Sequence, residues 1–332
     1  MRQAKLFSIT VAVVIALYGL VGFYFLPLAS FEGDLTRLAK LPESSFGWTK
    51  EQPAINPDLM KSAEWQDADV LVIGDSFSNA QVWQTVFTQK GVRVRTESWE
   101  TVFNICEDFS DWVHRSGFKG KYIIVQSAEK YLEDRLARSV GCKHMSYHPV
   151  AKRVPGPPAT KADRHKLDFS GRLSVGIQTE LHSLEYERLS SSPDFKGWDA
   201  LGEVRMKRIA NGCDLFSHPR CNDVLFYEKD RVEDLGENIL ANMAETNARM
   251  KDFSVVWVVI PDKATVYVYQ DKKFWDEAER RFHAPNLLKV FGQEVRNKTI
   301  DLYYANNTHV STTGYLIMGN AIYQNMFHQP SP

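Results

Sequence analysis

Between Leu6 and Leu28 the chain carries an apolar run without a single charge, and no other feature limits its possible structures so severely. Inside a bilayer every backbone N–H and C=O must be satisfied within the segment itself, so a lone run of this length crosses as a helix. Arg2 and Lys5 precede the run, and Glu32 and Asp34 follow it. That asymmetry predicts a cytoplasmic N-terminus and an exported body. The expectation is a single-pass inner-membrane protein with its anchor over residues 1–30 and its body in the periplasm. A cleaved signal peptide is the competing reading. The run is longer than a usual h-region, and Pro27-Leu28-Ala29 is a poor small-x-small site, so retention is favoured.

Four cysteines suit an exported chain, which can oxidise them. Cys213 and Cys221 flank a polar stretch able to close as a small loop, which leaves Cys106 with Cys142; buried free thiols are the alternative. No CxxC spacing occurs, so a zinc site is not suggested, and no cofactor is implied. Lys and Arg total 40 against 41 Asp and Glu, a net charge of −1. A protein that binds nucleic acid needs a basic excess to displace counterions from phosphates, so a polynucleotide partner is not expected.

Residues 31–66 are mixed and proline-punctuated, without clear periodicity, and read as a stalk. The body, 67–330, opens on Val70-Leu71-Val72-Ile73-Gly74, the pattern of a strand buried on both faces of a parallel sheet. Asn79 to Gln89 then has helical spacing. Tyr122-Ile123-Ile124-Val125 and Val255-Val256-Trp257-Val258-Val259-Ile260 read as further buried strands. Asp230 to Lys251 and Ser311 to Phe327 read as helices. Strands alternating with helices predict one α/β domain with a mainly parallel central sheet. From about 145 to 227 the alternation dissolves into Pro155-Gly156-Pro157-Pro158, Ser190-Ser191-Ser192-Pro193 and basic patches. That length predicts an insertion rather than an ordinary connection.

Gly74-Asp75-Ser76-Phe77-Ser78 falls at the C-terminal end of the first strand, where open α/β sheets place their ligand sites. A serine on that turn is well presented as a nucleophile, with its own N–H at a helix start as an oxyanion donor. Serine also caps helices, which is the plain alternative. His309 precedes the last helix, where an imidazole can approach a serine at the same sheet edge. Asn104 is a candidate oxyanion donor, set against an ordinary loop role. Lys263 and Tyr267 follow the strand ending at Ile260 and are candidates to meet a sugar or carboxylate, or else a solvated helix start.

Three segments, Gly74-Asp75-Ser76-Phe77-Ser78, Val259-Ile260-Pro261-Asp262-Lys263-Ala264-Thr265-Val266-Tyr267 and Asp301-Leu302-Tyr303-Tyr304…Asn307-Thr308-His309, resemble the SGNH, or GDSL-like, hydrolase superfamily. The resemblance is closest to the branch of alginate O-acetyltransferases and related "DHHW" exopolysaccharide acetylation proteins. It runs in order from Asp69 to about Phe327 and leaves the insertion uncovered. It implies a three-layer α/β fold in which Ser76 attacks an acyl carbonyl, His309 takes its proton and the residue two before the histidine orients the ring. It also implies a polysaccharide acceptor and a polytopic membrane-bound O-acyltransferase partner that supplies acyl groups.

The family's orienting residue is usually aspartate, whereas this chain has Asn307, and Val310 stands where the family often has tryptophan. An amide oxygen can hold an imidazole tautomer but brings no charge to the imidazolium; in a serine-protease triad that exchange costs about 10⁴ in turnover. Asp301 is the nearest substitute carboxylate in sequence, and Asp75 is expected to brace the nucleophile turn. The leading expectation is a periplasmic O-acetyltransferase working through an acyl-serine. The alternatives are an esterase or deacetylase of the same fold and a polysaccharide-binding scaffold that has lost the triad.

Overall fold

The computed structural model describes residues 2–149, 155–191 and 203–328. Ser192 and Pro193 of the serine-rich stretch, and the last two residues of the expected domain, 329 and 330, lie outside them. In chain order the helices are α1 (Arg2–Phe25), α2 (Asp34–Ala39), α3 (Glu43–Phe46), α4 (Ser76–Asn79), α5 (Thr85–Gln89), α6 (Trp99–Val102), α7 (Phe109–Arg115) and α8 (Glu129–Ser139). They continue with α9 (Leu173–Ser190), α10 (Glu237–Ala248), α11 (Lys263–Tyr267), α12 (Phe274–Phe282), α13 (Leu287–Arg296) and α14 (Thr312–Phe327). The strands are β1 (Val70–Gly74), β2 (Val94–Ser98), β3 (Tyr122–Ala128), β4 (Val204–Arg208), β5 (Asp223–Tyr227) and β6 (Ser254–Ile260).

The chain forms two compact units. One comprises Met1–Lys50, Lys161–Glu228 and Tyr304–Thr308; the other comprises Glu51–Thr160, Lys229–Tyr303 and His309–Pro332. Residues 31–66, read as a stalk, are therefore divided between the units. Most of the expected insertion belongs with the N-terminal residues.

In the first unit α1 and the short turn Leu26–Ala29 that continues it are long and apolar enough to cross a membrane. A helix of 24 residues rises about 36 Å, enough for a bilayer's hydrocarbon. Beyond it α2, α3, α9 and the antiparallel pair β4–β5 enclose a small core of Leu35, Ala39, Leu41, Phe46, Tyr186, Val204, Met206 and Leu225. The Glu43 carboxylate is buried and accepts from the N–H groups of Glu32 and Gly33, the Thr36 hydroxyl and the Asn306 amide. Those four donors satisfy a charge that would otherwise be costly to bury.

The second unit holds a four-stranded sheet in the order β2-β1-β3-β6, with every neighbouring pair parallel. β1 is buried along its whole length, as its unbroken run of Val, Leu, Val and Ile requires. Its Gly74 pairs with Ser98 of β2, and Ile73 with Val125 of β3, so β3 continues past its pairing with β1 by Gln126, Ser127 and Ala128. The mixed α/β class with a mainly parallel sheet is thus observed.

Several local expectations are corrected. Asn79 to Gln89 is not one helix: α4 starts at Ser76, and Gln81 at φ 56° turns the backbone into the left-handed region before α5. The helix expected from Asp230 begins only at Glu237, because Asp230 is drawn into a buried pair with Lys130. β2, β4 and β5 had no counterpart in the sequence reading.

Candidate active site

The turn that carries Ser76 is built from the end of β1. Gly74 has no room for a side chain, since a Cβ there would lie 2.4 Å from Ser78 Cβ and 2.8 Å from Gln126 Oε1. Asp75 caps α4 and uses both carboxylate oxygens twice. Oδ1 accepts from the Phe77 N–H at 3.1 Å and from Gln126 Nε2 at 2.9 Å. Oδ2 accepts from the Ala128 N–H at 2.8 Å and from Arg135 Nη1 at 2.7 Å. Gln126 Oε1 in turn accepts from the Asp75 N–H at 2.9 Å and the Ser78 hydroxyl at 2.7 Å. The turn is therefore tied to β3 on both sides, with Ser76 left exposed at its apex.

His309 reaches that apex from the other end of the unit's sequence. An antiparallel bridge joins Tyr303 to Val310, and the Ser311 N–H donates to the Leu302 carbonyl at 3.0 Å. Ser311 then caps α14 by accepting from the Gly314 N–H at 3.1 Å. The His309 ring packs against Phe77 with centroids 4.6 Å apart, and its Nε2 lies 2.8 Å from Ser76 Oγ. With its proton on Nδ1, a neutral imidazole in this position accepts the serine hydroxyl's proton at Nε2, the arrangement of an activated nucleophile and its base.

Asn307 belongs to the 304–308 turn of the first unit, where its N–H donates to the Tyr304 carbonyl at 3.3 Å. Asn104 is half-buried beside the Cys106–Cys142 bridge, with Nδ2 3.9 Å from Cys142 Sγ and Oδ1 buried without a hydrogen-bond partner. Asp301 is fully buried with left-handed backbone, φ 55°. Its charge helps to raise the pKa of the Tyr267 phenol, an effect led by burial and opposed by the Tyr303 N–H, which donates to Tyr267 Oη. Lys263 is 1% exposed, so it presents no free ammonium to a sugar, contrary to the open-edge placement expected for it. The cysteines are joined as Cys106–Cys142 and Cys213–Cys221.

A second polar cluster lies where β3 and β6 end. Lys130 Nζ donates to Asp230 Oδ1 at 2.9 Å and to Asp262 Oδ1 at 2.7 Å, all three side chains being buried. Burial penalises the Lys130 ammonium, but the two carboxylates outweigh it and its pKa is raised. Burial pushes Asp262 up to about 7, with Asp230 and Glu129 adding to the rise and Lys130 opposing it. Glu129 is raised as well, by burial against the pull of Lys272, whose Nζ lies 2.5 Å from its carboxylate. Among the described residues no group of three or more His, Cys, Asp or Glu is placed to hold a metal ion.

Sequence reasoning missed Gln126 and Arg135, which hold the turn without touching Ser76. A glutamine directly after Tyr122-Ile123-Ile124-Val125 was the available signal, because a polar side chain inside a buried strand must find partners. No family model matches the chain, and neither a curated protein nor a solved structure matches it.

Proposed function

We propose that the protein is an extracytoplasmic serine acyltransferase that moves an acyl group, foremost acetyl, onto a polysaccharide hydroxyl through an acyl-Ser76 intermediate. The observation that carries this reading is the 2.8 Å contact between His309 Nε2 and an exposed Ser76 Oγ at the C-terminal edge of a parallel sheet. Ser76 Oγ attacks the donor's carbonyl carbon as its proton passes to Nε2. The tetrahedral adduct collapses, and the leaving group departs with that proton. A sugar hydroxyl then gives its proton to Nε2 as it attacks the acyl carbon, and that proton passes to Ser76 Oγ as the bond to the acyl carbon breaks. The resemblance of the three motif segments to the alginate O-acetyltransferase branch of SGNH proteins supplies the acceptor class, the three-layer architecture and a membrane-bound O-acyltransferase as donor-side partner. On this reading α1 anchors the protein in the inner membrane with its body in the periplasm.

Treatment of the full chain in detergent with a serine-reactive fluorophosphonate, followed by intact-mass and peptide analysis, tests it. One adduct is expected, on Ser76, absent from Ser76→Ala and His309→Ala. With an acetyl ester as donor, either variant is expected to lose turnover by about 10⁶-fold if the pair acts as triad members do. An unlabelled native protein sinks the enzymatic reading and leaves the scaffold. Exposure of Ser76 favours a second reading, hydrolysis of the acyl-enzyme by water. Release of free acetate at the same rate with and without an oligosaccharide acceptor would establish the esterase instead.

A further inference from the structure

We infer that α9 and the turn before it, residues 167–172, form a second contact with the lipid bilayer, lying at the boundary of headgroups and acyl chains beside the exit of α1. The inference rests on the reading of α1 as a retained membrane span.

The 18 residues of α9 are apolar on two faces. One face, with Gly176, Thr179 and Tyr186, is buried in the first unit. The other carries Ile177, Leu181 and Leu184, spaced i, i+4 and i+7 along one stripe. Leu181 and Leu184 are each 58% exposed, and Leu167 in the preceding turn is 69% exposed. Scattered exposed leucines are ordinary, but a continuous stripe of them marks a surface that another apolar phase covers.

Its position identifies that phase. The Phe169 ring stacks on Phe23 with centroids 5.7 Å apart, and Tyr24 Oη lies 3.2 Å from Glu180 Oε1. Gly176 sits so close to α1 that a Cβ would lie 1.9 Å from the Phe25 carbonyl oxygen; at Gly171 a Cβ would lie 2.5 Å from Ala29 Cβ. Phe23 is five residues inside the outer end of the apolar run, about 7.5 Å of helix rise. Phe169 is thereby held at the depth where interfacial helices bury their apolar face, roughly 5–10 Å into the boundary region. The stripe on α9 thus begins at Ile177, one residue past the glycine that touches the end of the span.

Charge agrees with the same occupant. Residues 161–172 hold four basic side chains, Lys161, Arg164, Lys166 and Arg172, against Asp163 and Asp168. Arg164 and Lys166 line a small cavity with Pro27, Leu28 and Ser30 where the chain leaves the span. Basic residues beside an apolar stripe at this level meet the phosphates of anionic lipids.

All four cysteines are in disulfides, so a single introduced cysteine can take a spin label. The full chain would be placed in nanodiscs of phosphatidylcholine and phosphatidylglycerol with labels at Val14→Cys, Leu181→Cys, Leu184→Cys or Ala210→Cys, the last an exposed reference in the same unit. Collision with apolar oxygen is then compared with collision with a water-soluble nickel complex. The expected result is an oxygen-to-nickel ratio at 181 and 184 several-fold above that at 210 and approaching that at 14. A high ratio at 14 with water-like ratios at 181 and 184 overturns the inference while the span stands, and would turn attention to a protein that covers the stripe. A water-like ratio at 14 overturns the span and the inference together.

Discussion

Four hydrogen bonds converge on the carboxylate of Asp75, and none of them comes from Ser76. The buried pair with Arg135 is the strongest. Arg135 also donates to Ser127 Oγ at 2.7 Å and lies over the rings of Trp99 and Tyr131. Asp75→Asn keeps the shape but sets an amide N–H₂ against groups that are all donors, and it leaves the guanidinium uncompensated. Breaking a buried pair from one side costs about 3–5 kcal/mol. Thermal and urea denaturation should show a loss of that order, together with slower fluorophosphonate labelling of Ser76. A loss below about 1 kcal/mol, the range of an exposed pair, would mean that the carboxylate does not hold the turn. Ser76 and His309 were legible because each stands at the boundary of an unmistakable element, an apolar strand for one and a capped helix for the other. Lys263 was misplaced because nothing in its neighbours announces that the turn after β6 is buried.

At the scale of elements, legibility followed how each strand is buried. β1, β3 and β6 are apolar runs that can only be interior. β2 is Val94-Arg95-Thr96-Glu97-Ser98, and it is buried by pairing: Arg95 meets Glu97 at 2.6 Å and lies over the Trp65 ring at 4.3 Å. Such compensation is a tertiary fact that local periodicity does not carry. β4 alternates Val204 and Met206 with basic residues, a sign lost among the basic patches around it. The ends of β3 and β6 yield a prediction about pH. Asp262 is raised to about 7 and Glu129 is raised as well, so between the usual carboxylate range, about 4, and about 7 the folded state binds more protons than the unfolded one. The stabilising contribution of the protonated form is complete below that window and is lost as pH rises through it. Denaturation midpoints should therefore fall between pH 4 and 7 from this source, and the slope should flatten in Asp262→Asn whatever that variant's absolute stability. An unchanged slope would locate the titration elsewhere.

For the molecule as a whole, the chain divides into two compact units, and the core that joins Leu35 and Phe46 to Tyr186 and Leu225 is made of residues far apart in the chain. No spacing rule reaches across such a separation. Each unit carries one disulfide, Cys106–Cys142 closing 36 residues and Cys213–Cys221 closing 8. Loop-closure entropy assigns about 4 kcal/mol to the longer bridge and about 2.5 kcal/mol to the shorter. Replacing both cysteines of a bridge by serine should lower the melting temperature in either case, and further for Cys106→Ser/Cys142→Ser. The reverse order would show that loop length does not govern their contributions.

The order of those bridges along the chain also bears on how the protein is made. Cysteines one and two pair, and so do three and four. If the body is exported as proposed, with the residues after α1 emerging first, Cys142 appears while Cys106 is its sole partner in the emerged chain, and Cys221 later appears beside Cys213. Each bond that forms on emergence is already the native one. Maturation of this chain then calls for an oxidant but not for an isomerase to reshuffle mispaired sulfurs.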